Sequence, residues 1–94
     1  MVTRGNMVTR ERLGKYFEAF EEADVTLDLM EQEYDKNPNE ETTEALYIAV
    51  EEWTATRTIL INGIYKFLGG TVERKIIEFM LHNKREELEE IINR

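Results

Sequence analysis

Ninety-four residues carry 20 acids against 12 lysines and arginines, a net charge of −8, with 41% hydrophobic and 34% charged residues. That is the composition of one folded domain rather than a disordered chain, and the absence of cysteine excludes disulfides and thiolate chemistry. No apolar run approaches membrane-spanning length and MVTRGNMVTR lacks the apolar core of a signal peptide, so a cytoplasmic location without membrane contact is expected.

The opening repeats MVTR at residues 1–4 and 7–10, and residues 1–8 are expected to form a disordered tip before a single all-α domain over 9–94. Thr9 can cap a first helix over about 10–36, in which Leu13, Tyr16, Phe20, Ala23, Leu27, Met30 and Tyr34 recur at spacings of three and four. Pro38 stops it. Asn39 is placed to cap a second helix over about 40–68, with Glu40, Glu41 and Glu44 suited to its positive end. Leu46, Val50, Trp53, Arg57, Leu60, Ile64 and Phe67 carry its stripe.

Within that stripe stands Asn62-Gly63, a pair that elsewhere marks a β-hairpin turn. A hairpin here would leave both faces mixed and would lack a third strand. The three-four spacing runs through without a phase slip, so a helix is predicted, with Gly63→Ala neutral or stabilising by up to about 1 kcal/mol. Gly69-Gly70 supplies a stop. Thr71 is expected to cap a third helix over about 72–93, striped by Ile77, Leu81, Leu88, Ile91 and Ile92, with Lys84 snorkelling from the same stripe. Asn83 with Glu86 imitates a capping box and could split it.

The predicted architecture is an antiparallel three-helix bundle, or a helical hairpin plus a third helix, joined by short loops and dimerising. Folding about Pro38 pairs Leu46 with Met30, Val50 with Leu27, Trp53 with Ala23, Leu60 with Tyr16 and Ile64 with Leu13. Arg57 falls within the stripe and needs a carboxylate, for which Glu18 or Glu22 is in reach.

Sites for chemistry are sparse. Asp35, Asn37 and Asn39 alternate like the start of a calcium loop, but Glu40 and Leu46 stand where glycine and a bidentate glutamate belong. His82 is the single histidine and has no second histidine or cysteine to share a metal. Glu18-x-x-Glu21 and Glu41-x-x-Glu44, with EETTEALYIAV, resemble the paired acidic motifs of the MazG-type nucleotide pyrophosphohydrolases over about half the chain. That resemblance implies carboxylates holding magnesium. In the antiparallel register Glu21 and Glu44 stand about 16 Å apart, beyond the reach of one cation. Neither catalytic residues nor cofactors are expected.

Charge and grease are segregated. Thirteen acids and a single base, Lys36, lie between Tyr16 and Thr56. Glu31, Asp35, Glu40, Glu41 and Glu44 gather near the Pro38 turn as a candidate partner-binding end. Ile61, Tyr65, Leu68, Val72, Ile76 and Phe79 exceed what one core needs and form a candidate patch for self-association or a partner. Bases are too few and too mixed with acids for direct nucleic-acid binding. The expected function is that of a small acidic, non-enzymatic helical protein acting by protein-protein binding as a regulator, inhibitor or adaptor, with a basic partner suited to its acidic end and a homodimer expected as its assembly. The alternatives are a nucleic-acid mimic that inhibits a basic DNA-binding protein and, more distantly, a magnesium-dependent MazG-like hydrolase.

Overall fold

The computed structural model describes residues 8–94. The predicted tip lies outside the described residues except for Val8, which packs against the core. The described residues form four helices, α1 (Arg10–Lys36), α2 (Glu40–Phe67), α3 (Arg74–Asn83) and α4 (Arg85–Ile92). None is long and apolar enough to cross a membrane.

The expected caps of the two long helices hold. The Thr9 side chain accepts a hydrogen bond from the Arg12 amide at 3.1 Å. Asn39 and Thr42 exchange bonds of 2.9 Å in both directions, a capping box that starts α2 directly after Pro38. At its other end, the Gly70 amide reaches the Tyr65 carbonyl and the Gly69 amide reaches that of Lys66. That is a Schellman closure, and both glycines have positive φ, 64° and 75°, which a side chain would oppose.

The antiparallel α1–α2 hairpin forms near the expected register, with Gly63 against Leu13 and Tyr16 and Trp53 beside Phe20 and Asp24. Its interior differs by one position on α2, where Ala49 is buried and Val50 faces outward, so Val50 does not meet Leu27 inside. Burial fades along both helices. Leu13, Phe20, Leu60 and Ile64 are fully enclosed, Leu27, Met30 and Leu46 are half-covered, and Tyr34 is at the surface.

The chain runs through Asn62-Gly63 as helix. Gly63 is buried, and a Cβ placed there would stand 2.7 Å and 2.9 Å from two ring carbons of Tyr16. The residue is therefore small because α1 lies against it, and the expectation that alanine would be harmless is overturned. Asn62 is also occupied, accepting a 2.8 Å bond from Arg74 Nε.

The largest departure is in the third segment. Thr71 does not cap α3: its hydroxyl donates to the Leu68 carbonyl at 2.7 Å, and α3 begins three residues later without a side-chain cap. The segment then breaks at Lys84, whose φ and ψ of −141° and 50° are not helical. Asn83 does not cap α4; its amide donates to the Phe79 carbonyl at 3.0 Å and closes α3 instead. Lys84 leaves the stripe and lies 3.8 Å from Glu87. Arg74 meets Asn62, and His82 meets Arg57, so α3 ascends along α2. Arg85 meets Glu21, and the Ile92 carbonyl meets Arg10, so α4 descends along α1. The reversal buries Ile77, Leu81, Leu88 and Ile92 against the base of the hairpin.

Two glycine substitutions separate helix propensity from packing. Gly63→Ala is expected to lower unfolding free energy by about 1 kcal/mol or more, because overpacking outweighs the propensity gain. Gly14→Ala, where nothing lies within 4 Å of the new methyl group, is expected to raise it by about 0.5–1 kcal/mol. Urea denaturation of both variants measures the two signs.

Candidate functional site

The base of the molecule is closed by paired side chains. Arg10 donates to the Ile92 carbonyl at 3.1 Å and to Asn93 Oδ1 at 3.0 Å, and lies over the Phe67 ring. Between α1 and α4 is a cleft of about 240 Å³ lined by Arg10, Phe17, Glu21 and Arg85. Its size is below that of typical small-ligand sites, and both arginines already have partners within the chain.

At mid-height the four helices meet around His82. Its Nε2 accepts from Arg57 Nε at 2.9 Å, and its ring lies beside Trp53 and Phe20 at centroid distances of 6.0 Å and 6.4 Å. Arg57 finds its carboxylate on α3, in Glu78, rather than on α1 in Glu18 or Glu22. The reason is rotational: Arg57 lies at the side of α2 that faces α3, with its guanidinium also over Trp53. Trp53 Nε1 in turn donates to Asp24 Oδ1 at 2.9 Å. Partial burial lowers the His82 pKa below its ordinary value, the nearby Arg57 and Arg85 charges lower it further, and Asp24 opposes them.

Beyond this level the hairpin continues without α3 or α4. Along α1, Arg10, Gly14, Phe17 and Glu21 face the cleft beside α4, and the same three-four spacing continues as Asp24, Asp28, Glu31 and Asp35. Along α2, Arg57 and Ile61 meet α3, and the corresponding distal positions are Thr54, Val50 and Tyr47. Tyr47 is 69% exposed and Val50 42%. Among the described residues, no ion pair involves Asp28, Glu31 or Asp35.

The predicted acidic group, Glu31, Asp35, Glu40, Glu41 and Glu44, is exposed throughout and gathered at the Pro38 end. Asp24 and Asp28 extend the exposed acids of α1 toward the base as a three-four series beside the apolar one, and on α2 Val50, expected in the interior, is exposed along with Tyr47. The predicted apolar patch divides. Ile61 is core, and Tyr65, Leu68 and Val72 are half-buried against it, with Arg74 stacked 4.0 Å from the Tyr65 ring centroid. They are removed from the patch because the fold-back covers them. Ile76 and Phe79 remain half-exposed on the outer side of α3.

Among the described residues, no three histidines or acids converge as a metal site. Asn39 is committed to Thr42 and Glu21 to Arg85. Comparison with family models, with curated proteins and with solved structures finds no match.

The His82 geometry has a pH signature. The folded state favours the neutral ring, so its contribution is present above the unfolded pKa of about 6.5 and is lost as pH falls below it. The His82 ring resonances are expected to titrate below that value. The loss of stability between pH 7 and pH 5.5 should be smaller in His82→Gln, whose amide oxygen can accept from Arg57 without titrating. Thermal melts at the two pH values measure the difference.

Proposed function

We propose that this chain is a non-enzymatic protein-binding module, a regulator or adaptor whose distal hairpin is its working end. The observation that carries the reading is the stepped architecture. A four-helix base holds the core, while the outer half of the hairpin presents unpaired carboxylates beside exposed Tyr47 and Val50. Like charges crowded on one helix oppose folding, and Glu31 and Asp35 stand near a helix C-terminus, where the dipole also disfavours them. A basic partner would relieve both costs.

Self-association is a second part of the proposal. Ile76 and Phe79 lie together on the outer side of α3, where a twofold contact would cover them and leave the hairpin tip free. Phe79→Glu is expected to shift a dimer to monomer in light scattering at micromolar concentration. A monomeric parent protein would remove this part.

The module reading is tested by capture from host extract at low and high salt. It predicts stoichiometric retention of a basic protein, weakened by salt. Magnesium-dependent nucleotide turnover by the purified chain would overturn it. Glu31→Lys with Asp35→Lys is expected to preserve or raise the melting temperature while weakening capture. A lower melting temperature with unchanged capture would make these acids structural.

A further inference from the structure

We infer that the open half of the α1–α2 face docks a basic amphipathic helix from a partner protein, in the line that α3 and α4 occupy at the base. The inference rests on the binding-module reading and assigns its surface and the chemistry of its occupant.

The chain supplies its own example of what this face receives. Its lower half holds two short amphipathic helices, which bury Ile77, Leu81, Leu88 and Ile92. Arg85 of α4 stands 3.7 Å from Glu21, a member of the α1 series. Above Glu21 that series offers four successive carboxylates, Asp24, Asp28, Glu31 and Asp35, and Asp24 already accepts from Trp53. Across from them α2 offers Val50 and Tyr47. A helix laid here would set apolar residues on Val50 and Tyr47 and lysines or arginines on the α1 flank. From Asp24 to Lys36 the open face spans about 18 Å, room for roughly 12 residues of helix.

A second copy of this chain fits less well. The α3 and α4 of another molecule are not free to enter the open half, because they already close that molecule's own base. Each chain also carries a net charge of −8. Pure charge mimicry is also disfavoured, because it has no use for Tyr47 and Val50 beside the acids.

The probe is an 18-residue synthetic peptide with leucines at three-four spacing and lysines on the flanks, titrated while Trp53 fluorescence is followed and checked by calorimetry. Its control has the same composition in a scrambled order without helical periodicity. The periodic peptide is expected to bind at least about tenfold more tightly than the scrambled one. Asp28→Lys with Glu31→Lys is expected to weaken it at least about tenfold. Glu22→Lys with Glu33→Lys, an equal charge change across the helix, should weaken it less than about threefold. Val50→Asn should weaken it without changing net charge. Circular dichroism confirms that each variant is folded.

Equal losses from the two charge pairs would overturn the inference, as would equal binding of the two peptides, which is the mimic's signature. Dissociation of a homodimer by Tyr47→Glu would assign the face to a second copy and also overturn it. Partner capture from host extract that survives Asp28→Lys with Glu31→Lys would remove the groove assignment alone and leave the module reading standing.

Discussion

The reversal of the chain at Lys84 decides the shape of everything above the base. A continuous third helix over residues 72–93 would run about 33 Å, most of the length of the hairpin. It would have to carry Lys84 and Arg85 in its apolar stripe halfway along. Breaking there takes Lys84 out to the surface, turns Arg85 to Glu21 on α1, and lets Leu88 and Ile92 reach the same core as Ile77 and Leu81, where Leu88 and Ile77 are wholly enclosed. Two long helices are thus served by two short ones, which cover only the lower half. The core is deep at the base and thin above.

That arrangement relates the polar contacts to the step. The base and the corner hold the three ion pairs found among the described residues, and His82, Arg57, Trp53 and Asp24 form a connected set where the thick part ends. Above it, α1 and α2 hold each other through Leu27, Met30, Leu46 and Ala49, with helix caps at the turn. Pairwise burial of a few half-covered side chains stabilises less than a closed core. The repulsion among the carboxylates of α1 acts on the same segment.

Much of this frame was legible in the residues. Thr9, Pro38 with Asn39, and Gly69-Gly70 mark boundaries by local chemistry, which needs no knowledge of the rest of the chain. The stripe that passes through Asn62-Gly63 outweighed the turn propensity of the pair because about four turns of spacing before it, from Leu46 to Leu60, and one after it, from Ile64 to Phe67, kept the same phase. What was illegible depended on contacts across helices. Gly63 reads as a propensity cost until Tyr16 is seen against it. Arg57 could be assigned a carboxylate but not the right one, since the choice between Glu22 and Glu78 rests on which side of α2 the third segment takes. Val50 and Ala49 are neighbours that the spacing alone ranks wrongly. The acids gathered near Pro38 are legible in composition, while the exposed series from Asp24 to Asp35 is set apart from Glu21 only by where α4 begins.

Residue-resolved amide hydrogen exchange tests the two-tier structure most directly, because it reports the free energy of opening at each helical turn. The account predicts strong protection on α1 and α2 where they meet α3 and α4, over about residues 13–24 and 53–67. It predicts protection lower by at least about tenfold at the helical amides of residues 27–34 and 44–50, in protein shown to be monomeric. Uniform protection along both long helices in that monomer would contradict it, since the outer half would then be held as firmly as the base.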